Sequence, residues 1–280
     1  QQQCNGAGLP TPDSNCCGRD NEEMDRIVGG TETELGQYPW TALVETTFAN
    51  QTGKATFNCG GSLINKRYVL TAAHCLVQQG AVVNKVQVNL AEYDKRTFPN
   101  DCVTSIQEGK RCIQNLVLFA ETIVTHPLFN AEKLQNDIAL IRLKQTAPYT
   151  ESIRPICLPL ADIDTPTATK FNLFVAGWGL NGPYTSEIKQ STTVKLVPQR
   201  ECANFYPMLT RQHLCAGSQN GQDTCKGDSG GPLMMVFEAK YFVVGVVSGK
   251  RADVACGTAI PSLYTNVFHY IDWIKQNIRE

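Results

Sequence analysis

Charge of either sign is never in excess: 280 residues carry 25 Lys and Arg against 26 Asp and Glu, a net charge of −1 with histidines neutral. Nucleic acids and other polyanions require a basic excess that this chain lacks. Long apolar runs are missing too. No stretch approaches the roughly 20 consecutive apolar residues that span a bilayer, so neither nucleic acid nor membrane is an expected partner. A signal peptide is not visible, and the opening Gln1-Gln2-Gln3-Cys4 reads as a processed start. Internal repeats and low-complexity tracts are absent. No two cysteines are spaced as CxxC, and no CxxC…HxxxH pattern occurs, which weakens zinc and redox readings.

Cysteine, by contrast, is plentiful. Twelve cysteines, an even number, point to an oxidised, secreted disulfide framework. Spacing alone does not assign the pairs. One sequon, Asn50-Gln51-Thr52, would accept a glycan in a secreted protein. An unmodified surface asparagine fits the same residues equally well.

The chain changes character at Arg26-Ile27-Val28-Gly29-Gly30. Residues 1–26 are rich in Asn, Gly, Pro and acids, with three cysteines and few large apolar side chains. Such a segment buries too little to fold alone, so disulfides are expected to hold it. Beyond it, short apolar or alternating runs are broken by turn residues: Thr41–Thr47, Lys85–Leu90, Ile138–Leu143, Phe171–Gly177, Thr192–Pro198 and Tyr241–Ser248. Lys85–Leu90 alternates as a half-buried strand does. Closely spaced strands of this kind indicate an all-β barrel or sandwich. Only Val267–Ile278 reads as an amphipathic helix, with Val267, Tyr270, Ile271, Ile274 and Ile278 at helical spacing.

Three segments carry chemistry. Asp223-Thr-Cys-Lys-Gly-Asp-Ser-Gly-Gly-Pro232 sets Ser229 among glycines, whose backbone freedom lets several N–H groups converge on one point. A serine there attacks a carbonyl while adjacent N–H groups hold the developing oxyanion. Thr71-Ala-Ala-His-Cys75 supplies a histidine and Asn136-Asp-Ile-Ala-Leu140 a carboxylate. Singly, each has a plainer reading: His74 as a structural histidine like His126, His213 or His269, Asp137 as a turn cap, Ser229 as a loop serine. Together they favour nucleophilic hydrolysis.

With Ile27-Val-Gly-Gly30, Cys59-Gly-Gly-Ser62 and Gly177-Trp-Gly179 added, residues 27–280 resemble a chymotrypsin-fold serine protease along nearly their whole length. The resemblance implies an all-β fold of two six-stranded antiparallel β-barrels with a C-terminal α-helix, and a site between the barrels. By the His…Asp…Ser template, Ser229 attacks, His74 moves the proton and Asp137 fixes the imidazole tautomer. It implies an oxyanion hole from the N–H groups of Gly227 and Ser229, and no cofactor for the chemistry. Arg26-Ile27 resembles the family's activation site, where the freed ammonium of Ile27 pairs with Asp228. The domains implied are a disulfide-tethered light chain, 1–26, and a protease domain, 27–280. Asp223 matches the pocket-floor aspartate of trypsin-like members, which favours Arg or Lys. Two positions depart from the pattern: Ser248, which matches the serine of the family's substrate-binding strand, is followed by Gly249-Lys250-Arg251 instead of a bulky aromatic, and Pro261 is followed by Ser262, whose hydroxymethyl would narrow the pocket or bond the incoming cation. Lys250-Arg251 fits an exosite or a self-cleavage point.

The stretch before Arg26, the cysteines Cys102 and Cys112, Ala255–Thr258 and Ile156–Pro159 resemble arthropod clip-domain proteases, without the clip domain itself. A vertebrate coagulation or complement protease is the competing branch. The resemblance pairs Cys59–Cys75, Cys202–Cys215, Cys225–Cys256 and Cys102–Cys112, joins Cys157 to Cys16 or Cys17, and leaves Cys4 with the other. It also implies a structural Ca²⁺ held by Glu92, Asp94, Asp101 and Glu108, for which solvated surface acids are the plainer reading. The function implied is a secreted, extracellular zymogen that cleaves zymogens or pro-proteins after Arg in a cascade of the prophenoloxidase or Toll type. Its implied partners are protein substrates, an upstream activating protease and a serpin-type inhibitor. A binding-only, protease-like cofactor is the alternative, but such proteins carry Gly at the nucleophile position, where this chain has Ser229. A digestive trypsin fits poorly with a tethered light chain.

Overall fold

The computed structural model describes residues 4, 8–21, 31–106, 109–165, 171–181, 184–217, 228–250, 258 and 260–279. Strands Thr41–Asn50, Gly53–Leu63, Tyr68–Thr71, Val82–Leu90, Leu116–Thr125 and Ala139–Leu143 close into an antiparallel barrel. Six more, Asn172–Gly177, Gln190–Val197, His213–Gly217, Pro232–Phe237, Lys240–Gly249 and Ser262–Asn266, form a second sheet that closes where Lys195 pairs with Gly217. The short strand Thr31–Glu32 is added to its edge at Ser191 and Gln190. Each apolar run read as a strand lies in or beside one of these twelve, and the expected pair of six-stranded barrels is present.

Alternation explains the closure. Inward-facing Val44, Leu63, Leu70, Val88, Leu90 and Leu140 of the first barrel are buried, and a closed sheet leaves no unpaired edge. Trp40, Tyr38 and Tyr241 join the two barrels, with Trp40 and Tyr241 ring centroids 5.2 Å apart and the Trp40 indole N–H 3.1 Å from Met234 Sδ.

The C-terminal segment departs from a single helix. Val267–Tyr270 winds as a 3-10 turn and only Ile271–Asn277 is α-helical. The buried residues explain the change: Val267 and Tyr270 are three apart, the 3-10 repeat, whereas Tyr270 and Ile274 are four apart. No helix of the described residues is long and apolar enough to cross a membrane.

Five disulfides lie among the described residues: Cys4–Cys16, Cys17–Cys157, Cys59–Cys75, Cys102–Cys112 and Cys202–Cys215. Cys17, and not Cys16, therefore takes Cys157. Cys225 and Cys256 lie outside the described residues. A bridge of this kind contributes about 2–4 kcal/mol, and Cys17–Cys157 ties the N-terminal segment to the second barrel. Backbone pairing adds to the tether: Gly18 N–H donates to Pro155 O at 2.9 Å and Tyr241 N–H to Gly18 O at 2.9 Å.

Candidate active site

Neighbouring strand ends bring His74 and Asp137 together. Thr71 and Ala139 are cross-strand partners. His74 follows the first strand in a 3-10 turn, Ala73–Cys75, and Asp137 precedes the second. Asp137 is wholly buried. Its Oδ1 accepts from His74 N–H at 2.9 Å, and its Oδ2 lies 2.7 Å from His74 Nδ1. Ser248 Oγ donates to the same Oδ2 at 2.5 Å, and Thr265 Oγ1 donates to the Asp137 carbonyl at 2.7 Å. Nδ1–H donation to the carboxylate leaves Nε2 of a neutral His74 as the basic nitrogen. Burial lowers the imidazole pKa, but the Asp137 charge and hydrogen bond outweigh it and hold His74 above its ordinary 6.5.

The backbone around Asp137 is itself held. Asn136 takes a left-handed conformation, φ 54°, which asparagine tolerates better than most residues. Its side chain accepts from Tyr270 O–H at 3.0 Å and donates to Leu128 O at 2.8 Å. Asn136, Tyr270 and Thr265 as supports of Asp137 were not foreseen from the sequence. The one available signal is a threonine after the apolar pair Leu263-Tyr264 in the strand Ser262–Asn266.

Ser229 sits in the turn Asp228–Gly231, with Gly231 N–H bonded to Asp228 O at 2.8 Å. Its carbonyl accepts from Gly60 N–H at 2.7 Å. The Cys59–Cys75 bridge marks its proximity to the histidine: Cys75 Sγ lies 3.6 Å from Ser229 O and 3.8 Å from His74 Nε2. Gly230, at φ 80°, has no space for a side chain, because a Cβ would stand 2.6 Å from Gly60 O. The turn thus presses against the Gly60 strand from the second barrel, and Ser229 is left half-buried at the junction.

Asp228 lies under the turn Gly177-Trp178-Gly179. Gly179 N–H donates to its Oδ1 at 2.8 Å, and a Cβ on Gly177 would come 2.5 Å from that oxygen. The structure brings His74, Asp137, Ser248 and Ser229 to one rim between the barrels. Ser248 is thereby a partner of Asp137 as well as a residue of the strand expected to bind substrate. Ser262 is buried, opposite Ala216 in the adjoining strand. Arg26, Ile27, Asp223 and Gly227 lie outside the described residues.

Two of the four acids read as a calcium set are engaged by internal donors. Asp94 is bound bidentately by Arg96, at 2.8 and 2.6 Å. Asp101 is wholly buried. Its Oδ2 accepts from Tyr93 N–H, Asp94 N–H and Asn115 Nδ2, and its Oδ1 from Thr97 Oγ1. Ca²⁺ takes six to eight oxygen ligands, and the carboxylates of Asp94 and Asp101 are engaged by internal donors. Glu92 Oε1, by contrast, is buried without a hydrogen bond. Its own burial, then Asp101, Asp94 and Glu45, push the Glu92 carboxyl up to about 7. Glu108 lies outside the described residues. Among the described residues only Cys59, His74 and Cys75 gather three ligand-type atoms, and both sulfurs are in a disulfide.

Comparison with known proteins agrees with the geometry. A family profile described as Trypsin matches residues 27–274. The phenoloxidase-activating enzyme of Bombyx mori is 40% identical over 290 residues, covering 96% of this chain and 64% of its own length. The Spaetzle-processing enzyme of Drosophila melanogaster is 39% identical over 273 residues, 91% of this chain and 66% of its own. This chain therefore spans slightly under two thirds of either relative. Among solved structures, the Drosophila Grass clip serine protease of the Toll pathway matches with a TM-score of 0.76 at 32% identity, over 94% of this chain and 75% of that one. The chain belongs to the trypsin family and is a serine endopeptidase, similar to the insect clip-domain proteases.

Proposed function

We propose that this endopeptidase works through Ser229, His74 and Asp137. Ser229 Oγ attacks the carbonyl carbon of the scissile peptide bond. His74 Nε2 takes the hydroxyl proton and returns it to the leaving amine, and water then releases the acyl group by the same route. Asp137 holds the Nδ1–H tautomer and stabilises the imidazolium. The observation that carries this reading is the shared contact of His74 and Ser229 with Cys75, beside an imidazole already oriented by a buried carboxylate. The N–H groups of Gly227 and Ser229 are assigned to the oxyanion. Removal of one such donor costs about 10²–10³ in turnover in this chemistry.

The enzyme is a secreted zymogen on this reading, with residues 1–26 as light chain and 27–280 as protease domain. Cleavage after Arg26 frees the Ile27 ammonium for Asp228, and Cys17–Cys157 keeps the light chain attached. Asp223 sets a preference for Arg or Lys, because a buried carboxylate favours a cation that it can bond. Substrates are zymogens or pro-proteins of an extracellular cascade of the phenoloxidase-activating or Toll type. This is supported by the names of the relatives, and an activating protease and a serpin-type inhibitor complete the cascade.

The test is hydrolysis of an Arg-terminated chromogenic peptide by the full chain, before and after controlled cleavage at Arg26-Ile27, with the new N-terminus sequenced. Activity confined to the cut form is the expected result. A cut, folded enzyme without activity would overturn it, and equal activity before cleavage would remove the zymogen.

A further inference from the structure

We infer that Asn50 is a site of N-linked glycosylation. It ends the strand Thr41–Asn50 and is the cross-strand partner of Gly53, so the sequon Asn50-Gln51-Thr52 forms the tip of a β-hairpin. All of residues 50–53 are exposed. The tip is organised around one atom. Asn50 Oδ1 accepts from Thr52 N–H at 2.9 Å, from Thr52 Oγ1 at 2.7 Å and from Gly53 N–H at 3.1 Å. This is the local turn that an asparagine side chain makes with backbone two residues on. The carboxamide oxygen is thereby fixed, while the Nδ2 group has no hydrogen bond among the described residues and remains open to solvent. The hydroxyl that the sequon requires already points at the same carboxamide.

Space for a sugar is present beside it. Ala49, Gln51, Gly80, Ala81 and Val82 line a shallow depression against Asn50, and Val82 is 70% exposed. The tip is seven residues along the strand from Gly60, which contacts the Ser229 turn. At about 3.3 Å per residue a glycan there stands clear of the serine. The co-reactant is a lipid-diphosphate-linked oligosaccharide. Nδ2 forms a bond to the anomeric carbon, the bond from that carbon to the diphosphate oxygen breaks, the lipid diphosphate leaves with the electron pair, and Nδ2 loses one proton. The inference does not depend on the catalytic reading.

The experiment is peptide mapping of the full chain secreted from insect cells, after treatment with PNGase A in heavy-oxygen water. The expected result is conversion of Asn50 to heavy-labelled aspartate, with the glycan-linked mass lost from the Thr52→Ala protein. Recovery of the peptide with Asn50 wholly unmodified would overturn the inference. Because the decisive reading is made on the unaltered chain, a folding defect in Thr52→Ala would not rescue it.

Discussion

Asp137 and Asp101 are both wholly buried carboxylates in segments that join strands of the first barrel, and they are held differently. Asp101 is surrounded by donors that lie away from the cleft: two backbone N–H groups, Asn115 and Thr97. Its charge shapes the 92–101 loop. Asp137 also accepts a backbone N–H, but two of its donors belong to groups at the cleft, His74 Nδ1 and Ser248 Oγ. A buried carboxylate becomes part of a reaction when a titratable partner lies between it and solvent. Otherwise it is a brace. Both arrangements satisfy a charge that would be costly if left unpaired, so burial and hydrogen bonding do not separate them. The identity of the donor does.

The sharpest break of that contrast is Asp137→Asn. The amide no longer enforces the Nδ1–H tautomer, and the known template for this chemistry places the loss of kcat near about 10⁴-fold. The folded state should survive, since the shape is kept. Steady-state hydrolysis and a thermal unfolding scan check both parts. In the unaltered enzyme His74 must be neutral to act as base, and its pKa lies above 6.5. Activity should therefore fall as pH drops through a value above that of free imidazole. A limb at or below 6.5 in kcat/KM would contradict the assignment.

Asp101→Ala tests the opposite half. It strands Tyr93 N–H and Asp94 N–H without an acceptor, each costing about 1–3 kcal/mol when buried, and leaves Asn115 Nδ2 only its bond to Ala91 O. A stability loss of about 3 kcal/mol is expected, with turnover per folded molecule unchanged, by denaturant titration and active-site counting. Loss of activity without loss of stability would mean that this loop is catalytic after all. Added Ca²⁺ should leave the unfolding midpoint of the unaltered protein in place, because Asp94 and Asp101 already have internal donors.

Glu92 gives a subtler reading of the same loop. Its pKa rises from 4.5 to about 7 on folding, so the folded state binds a proton that the unfolded chain releases. Stability contributed by that proton is full below about 4.5 and is lost as pH rises through about 7. The shift corresponds to about 3 kcal/mol. Glu92→Gln mimics the protonated form. It should have little effect at pH 5 and raise the unfolding midpoint at pH 8. An equal effect at both pH values would show that Glu92 is not the group responsible.

The same contrast explains what was legible beforehand. The barrels were readable because alternation is local, as in Lys85–Leu90 and Tyr241–Ser248. His74, Asp137 and Ser229 could be singled out as candidates because each lies in a contiguous motif. The calcium set could not be weighed from the sequence, because a list of acids does not disclose their donors. Arg96 lies two residues from Asp94, yet Asn115 reaches Asp101 from 14 residues farther along the chain. Supports of Asp137 were invisible for the same reason at longer range: Thr265 and Tyr270 arrive from the far end of the sequence, separated by 128 residues from Asp137 and 134 from Asn136. No local pattern encodes such a meeting.

Tyr270→Phe measures how far that support extends, and its expected effect is the smallest. The substitution removes one hydroxyl and keeps the ring that packs edge-on against His126, with centroids 5.4 Å apart. Asn136 Oδ1 then loses its donor, at a cost of about 1 kcal/mol. Asn136 keeps its bond to Leu128 O, so the left-handed turn should loosen without collapsing. A several-fold fall in kcat with KM unchanged, together with a weaker downfield Nδ1 proton signal of His74 in the NMR spectrum, would mean that the turn positions Asp137. A pure stability loss, with kcat and that proton signal intact, would assign the hydroxyl to packing of the C-terminal segment and leave Thr265 and Ser248 as the supports of the carboxylate.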